Sequence, residues 1–245
     1  MIDLHFHCLP GIDDGPETWD EAVQLCREAA AEGTTSIVAT PHVLRDGWLN
    51  DDAAARDALV LRLNTLLGGK PSVLPGCEFW YSSDVVDLVE KGESGPLTCL
   101  NRSRYLLVEF APGMVPANAE ATFHELVVLN VVPVVAHPER NLIFARNPER
   151  LASLVARGAI SELTAGSLLG EFGKLAQSAA TEFVNRGLAH VVASDAHSLA
   201  ARPPRMAAAR EKVRAAFGAE VEEGLFEANP SAVVRNEPLP WVPKG

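Results

Sequence analysis

A chain of 245 residues with 47% hydrophobic and 22% charged side chains can bury a full core, which argues against intrinsic disorder and fits one domain over residues 1–245. Its 32 Asp and Glu against 21 Lys and Arg give a formal net charge of -11, which would repel a nucleic-acid backbone, so no nucleic-acid partner is expected. No apolar run reaches the length of a membrane span, the histidine-rich start lacks the form of a signal peptide, and the cysteines show no CxxC spacing; a cytoplasmic protein with reduced thiols and no direct membrane insertion is expected.

The first strand carries His5 and His7. Side chains alternate along an extended strand, so these two leave one face while Leu4 and Phe6 take the other. Asp14-Gly15-Pro16 turns the chain, and Trp19, Ala22, Val23, Cys26 and Ala30 then recur at helical spacing until Gly33. A second strand over 36–40 delivers Pro41-His42, and Asp51-Asp52 precedes a helical run through Leu59, Leu63 and Leu66 that Gly68-Gly69 closes. Val73-Leu74 leads to Glu78, residues 84–89 read as a short helix, and a buried strand over 105–110 carries Glu109. Helical character returns over 119–129.

The β-branched run 131–136 leads to His137-Pro138-Glu139-Arg140. Asn147-Pro148 has the form of an N-cap followed by proline at the first helical position, with closure at Gly158. A strand over 159–163, a helix over 170–185 and a strand over 188–193 follow, the last delivering Asp195 and His197. Pro203-Pro204 precedes terminal helices. Seven strand-helix alternations with His, Asp and Glu at strand C-termini predict a parallel α/β barrel with one convergent site on its C-terminal rim.

Histidine with carboxylate, and no obligatory thiolate, is the ligand set of divalent manganese, iron or zinc. Neighbouring divalent ions activate water near neutral pH and clamp phosphoryl oxygens, so the expected reaction class is hydrolytic. Rival chemistries fail on spacing. A cysteine-nucleophile phosphatase needs Cys-x5-Arg, but six residues after Cys8, Cys26, Cys77 and Cys99 stand Asp14, Glu32, Ser83 and Tyr105. The chain has no GxxxxGK[ST] loop and no GxGxxG opening a helix, and Gly166-Ser167 lacks the residues of a nucleophile elbow. His124, in a helical stretch, and His190, at a strand start, read as structural.

His5-Phe6-His7-Cys8-Leu9-Pro10-Gly11-Ile12-Asp13-Asp14-Gly15-Pro16, Ala39-Thr40-Pro41-His42, Pro75-Gly76-Cys77-Glu78, Val108-Glu109-Phe110, Ala136-His137-Pro138-Glu139-Arg140, Thr164-Ala165-Gly166-Ser167-Leu168-Leu169-Gly170 and Ser194-Asp195-Ala196-His197 form an ordered set over nearly the whole chain. Together they resemble the PHP (polymerase and histidinol phosphatase) superfamily, and within it the bacterial capsule and exopolysaccharide tyrosine-protein phosphatases. The resemblance implies a distorted (β/α)7 TIM-like barrel and a site for three divalent ions, usually manganese. It implies that His5, His7, Glu78 and Asp195 take the first ion. Glu78, Glu109 and His137 take the second, and Asp14, His42 and His197 the third. Spacing alone leaves Asp13 and Asp14 open, and only the family pattern favours Asp14.

The same resemblance makes Arg140 and Arg202 the phosphate contacts, beside Asp195 and His197 at the reacting centre. Arg205 is an alternative to Arg202 in the same loop, and Arg140 has the rival reading of a surface partner for Glu139 or Glu149. The implied activity is hydrolysis of phosphotyrosine by a metal-activated hydroxide, without a covalent phosphoenzyme. The implied partner is a bacterial tyrosine autokinase that regulates polysaccharide export. The alternatives are a small-molecule phosphatase, such as one acting on histidinol phosphate, and a catalytically silent regulator that uses metals only for stability. A complete ligand set disfavours the silent reading.

Overall fold

Seven runs of extended chain lie side by side in parallel, and helices cover their outer face. The computed structural model describes residues 1–92 and 95–244. In chain order the elements are β1 (Ile2–Phe6), α1 (Trp19–Ala31), β2 (Ser36–Ala39), β3 (His42–Val43), α2 (Ala53–Leu67), β4 (Ser72–Pro75), β5 (Glu78–Trp80) and α3 (Val85–Glu90). Next come β6 (Tyr105–Glu109), α4 (Ala119–Val128), β7 (Val132–Ala136), α5 (Leu142–Arg146), α6 (Pro148–Val155) and β8 (Ile160–Thr164). The chain ends with α7 (Ala165–Leu169), α8 (Gly173–Asn185), β9 (Val191–Ala193), α9 (Met206–Phe217), α10 (Ala219–Glu223) and α11 (Asn229–Val234).

Two sheets, in the orders β1-β2-β4 and β3-β5-β6-β7-β8-β9, make up the wall. They are continuous, because β3 follows β2 and β5 follows β4 after short breaks in the same run. At the other seam Phe6 bridges Ala196, the His7 N–H donates to Ala196 O at 2.9 Å, and the Asp195 N–H donates to His5 O at 2.9 Å. The sequence order of ligand-bearing strands thereby becomes a ring, and the distorted seven-run barrel has His5 and Asp195 as neighbours across its closing seam.

Local chemistry explains most element ends. Thr18 and Glu21 form a reciprocal capping box at α1, and the Asp52 side chain accepts the Ala55 N–H while Gly68, at φ 66°, closes α2. Inside the ring Leu4, Val38, Tyr105, Leu107, Val134, Ala136, Val191 and Ala193 pack as one apolar plug below the site. Outside it, alternate residues such as Leu106, Val108 and Val135 pack beneath the helices.

Three expectations change. Pleat alternation puts Leu4 and Phe6 on one face, but Leu4 joins the interior plug while Phe6 packs with Leu25 and Leu63 under α1 and α2. The ladder to β2 shifts between Asp3 and Phe6, and such an irregularity re-aims side chains. Asn147 and Pro148 open α6 as expected, but the Asn147 side chain caps nothing; a separate short helix, α5, precedes it, where Asn141 Oδ1 accepts the Ile143 N–H at 2.9 Å. The helix expected over 170–185 is split from α7 by Gly170 at φ 92° and starts at Gly173.

Candidate metal centre

Each functional side chain comes from the C-terminal end of a strand run or the turn after it. His42 and Glu78 are register partners in the β3–β5 ladder, which alone explains why His42 Nδ1 lies 2.8 Å from Glu78 Oε2. Glu109 ends β6 opposite Trp80. His137 and Asp195 follow β7 and β9 with φ 31° and 52°, a backbone region that non-glycine residues enter only under compensation by their surroundings. That turn is held at Asp195, whose carbonyl lies 2.9 Å from His197 Nδ1.

The nine side chains expected as ligands converge in four overlapping groups: His7, Asp14, His42 and His197; His5, His137 and Asp195; His5, His7 and Glu78; and His42, Glu78 and Glu109. The grouping cuts across the division implied by resemblance, since His7 also stands among the Asp14 set and His137 beside His5. Glu78 lies among four histidines, with Oε1 3.0 Å from His137 Nε2 and 3.4 Å from His5 Nε2, and Oε2 3.4 Å from His7 Nε2 and close to His42. Asp14 Oδ1 lies 3.3 Å from His42 Nε2 and 3.1 Å from His197 Nε2. Asp13 instead faces His7 Nδ1 from behind, at 2.8 Å, so geometry separates the two aspartates that spacing could not.

Two features test whether this donor set suits cations. His5 Nδ1 faces Glu162 Oε2 at 3.0 Å and His7 Nδ1 faces Asp13, so each imidazole gives a proton to a carboxylate. Their Nε2 lone pairs then confront one another at 3.2 Å. A carboxylate behind each histidine is the usual way a metal ligand is oriented and made more basic. Secondly, the buried Glu78 carboxylate meets the ring nitrogens of His5, His7, His42 and His137 within 3.4 Å, so donors of the kind that ligate a divalent ion converge on one point. The residues fit bound divalent ions.

Electrostatics point the same way. Burial opposes charging His5, yet Glu78, Asp195 and Glu162 drive its pKa well above the ordinary value. Burial is likewise outweighed at His42, pushed up to about 10 chiefly by the charge of Glu78. Glu78 and Asp195 are held well below the carboxylate range despite burial, by His5 and His42 for the first and by His5, Arg140 and Arg202 for the second. His197, by contrast, is lowered to about 4 by burial and by the charge of His7.

Arg140 pairs with Asp195 Oδ2 and lies over the Phe172 ring at 4.5 Å, so it is a site residue and not a surface partner. Glu149 pairs with Arg186. Arg202 Nη2 lies 3.0 Å from both Asp195 oxygens, whereas Arg205 is turned away to Glu171 at 2.9 Å. His124 is exposed on α4, and His190 accepts the Ser161 N–H at Nδ1, both outside the cluster.

Sequence reading missed Glu162, which supports His5, and Arg45, whose Nη1 lies 3.0 Å from Glu109 Oε2. It also missed Asp3, which accepts the Ser194 N–H at 3.0 Å and is pushed up to about 7 by burial. An acid inside an apolar strand, as in Ile160-Ser161-Glu162-Leu163, is the signal that was there to use. Beside His197 a cleft of about 360 Å³ opens, lined by Gly15, Pro16, Leu25 and Leu199 among others.

A family model described as "Capsular polysaccharide synthesis, CpsB/CapC" matches residues 1–235. The chain belongs to the CpsB/CapC family. Among its relatives is the tyrosine-protein phosphatase YwqE of Bacillus subtilis, 37% identical over 242 residues that cover 98% of this chain and 93% of that protein. A crystal structure from work on YwqE and on CpsB of Streptococcus pneumoniae, described as metal-dependent tyrosine phosphatases, superposes with a TM-score of 0.92 at 35% identity over the whole of both chains. An organophosphorus hydrolase variant from Deinococcus radiodurans, at TM-score 0.60 and 13% identity over 95% of this chain and 92% of that one, shares the barrel fold alone.

Proposed function

We propose that this CpsB/CapC-family chain is a metal-dependent protein-tyrosine phosphatase, working as one unit over residues 1–245. The observation that carries the reading is the confrontation of His5 Nε2 and His7 Nε2 beside the buried Glu78 carboxylate, each imidazole backed by a carboxylate. His5, His7, Asp14, His42, Glu78, Glu109, His137, Asp195 and His197 hold three divalent ions, manganese by preference. When bound, such ions lower the pKa of water and offset charge building on a phosphoryl group.

The chain's own residues do the rest. Arg140 and Arg202 converge on Asp195 and present forked donors to phosphoryl oxygens that a lysine could not match bidentately. Burial of Cys8 and Cys77 leaves no exposed thiol beside the ligands, so phosphorus is attacked by water and no phosphocysteine forms. The physiological substrate is a phosphotyrosine-bearing bacterial tyrosine kinase that regulates capsule or exopolysaccharide export, and the reaction is cytoplasmic. No helix among the described residues is long and apolar enough to cross a membrane.

Phosphate release from a phosphotyrosine peptide and from histidinol phosphate, measured side by side with defined metals and with elemental analysis, tests the reading. Two to three bound equivalents of transition metal and a preference for the peptide are expected. Turnover of histidinol phosphate alone would make the protein a small-molecule phosphatase, and bound metal with no turnover would make it a silent regulator.

A further inference from the structure

Immediately after His42 the chain makes a tight hairpin at the mouth of the barrel. Leu44 N–H donates to Leu49 O at 2.9 Å, and Arg45 and Trp48 exchange backbone bonds of 3.2 and 2.8 Å. Leu44 and Gly47 adopt φ of 55° and 91°, which sets the turn. Asn50 fastens its base, donating through Nδ2 to His42 O at 2.8 Å and to Ile12 O at 2.9 Å, so the hairpin is tied both to His42 and to the loop bearing Asp14. On this hairpin the Trp48 ring stacks on the His42 imidazole with centroids 5.3 Å apart and planes at 16°. The Arg45 guanidinium lies 4.6 Å from the Trp80 centroid and 5.5 Å from that of Trp48, while its Nη1 reaches Glu109.

A guanidinium held within about 6 Å of two indoles is fixed in orientation as well as in charge. Its contact with Glu109 uses one nitrogen of a five-donor fork, so an oxyanion arriving beside Glu109 meets donors already in place. An aryl phosphomonoester carries its ring one ester oxygen from phosphorus. Trp48, partly exposed and fixed against His42, offers such a ring a stacking surface, whereas an alkyl ester has no π face to present to it.

We propose that the 44–49 hairpin is the substrate-selecting element of this site, Arg45 engaging phosphoryl oxygens and Trp48 stacking on the aryl group of an aryl phosphomonoester. The inference rests on the phosphatase reading above and names residues that reading does not use.

The test measures binding of two non-hydrolysable probes, phenylphosphonate and methylphosphonate, to metal-loaded protein by calorimetry, with metal content determined for every variant. Wild type prefers the phenyl probe. Trp48→Leu, apolar and of comparable bulk, reduces that preference about tenfold. Arg45→Lys, which keeps charge and loses the fork, weakens both probes by about tenfold and leaves the preference intact. An unchanged preference in Trp48→Leu overturns the proposal, as does a loss of metal in step with the loss of binding, since the hairpin would then only prop His42. If wild type releases phosphate from a phosphotyrosine peptide and the preference is unmoved, only the hairpin's role fails. If it releases none from any phosphomonoester, the phosphatase reading fails and takes this inference with it.

Discussion

His7 Nδ1 lies 2.8 Å from Asp13 Oδ2, and the same oxygen accepts the backbone N–H of His42 at 3.3 Å. One carboxylate thus fixes the tautomer of the first imidazole and the position of the strand bearing the second, without itself standing among the grouped donors. Removing such a support costs about 10- to 100-fold in metal affinity. Asp13→Ala is expected to fall in that range by competition with a metal-responsive dye, whereas Asp14→Ala should lose an ion's worth of occupancy in elemental analysis. Wild-type affinity in Asp13→Ala would remove this role from it.

Arg140 and Arg202 both bond Asp195, while Arg205 pairs with Glu171. Losing a charge-assisted contact of about 2 to 4 kcal/mol corresponds to roughly 30- to 1,000-fold in kcat/KM. Arg140→Ala and Arg202→Ala should each lose that much with metal content unchanged, and Arg205→Ala should do little. A fall in kcat marks a contact that strengthens as charge builds; a rise in KM alone marks mere capture of the dianion. Near wild-type kinetics in both variants would leave the phosphoryl group to the ions.

The ring of strands and its convergent rim were legible because apolar runs, helix caps and terminal His, Asp and Glu repeat in order. Ligand proximity followed from topology: His42 and Glu78 are far apart in sequence and adjacent in register. What stayed hidden depends on features no periodicity encodes. The left-handed φ values of His137 and Asp195 come from tertiary compensation. The choice between Asp13 and Asp14 depends on the path of one loop. Glu162 and Asp3 sit at positions that an apolar pattern assigns to core, and become intelligible only when His5 and Ser194 are seen beside them. Arg45 sits on a hairpin whose aim follows from where Trp80 and Glu109 lie, in strands distant in sequence.

Thiol chemistry makes a separate prediction. Burial pushes the Cys77 thiol up and takes Cys99 to about 12, and Cys8 is raised by its neighbour Cys26 as well as by burial. Thiols so held are poor nucleophiles at neutral pH. Replacing each cysteine in turn by Ala or Ser should leave phosphotyrosine turnover within a few fold. A variant that folds and keeps its metal but loses all turnover would mean a cysteine attacks phosphorus.

His190 gives a pH dependence apart from the metal centre. It accepts the Ser161 N–H at 3.2 Å, and burial lowers its pKa from 6.5 to about 4. An imidazole whose folded pKa lies below its unfolded one favours the folded state above the unfolded pKa, because only the unfolded chain takes up its proton in between. That stability is present above about pH 6.5 and is lost as pH falls towards 4, up to about 3 kcal/mol by linkage. His190→Asn offers an amide oxygen to the Ser161 N–H and has no proton to gain. It should therefore start less stable at pH 8, through lost packing, yet lose less on acidification. Urea unfolding of both proteins at pH 8 and pH 5 decides it, since parallel losses in the two would place the acid sensitivity elsewhere.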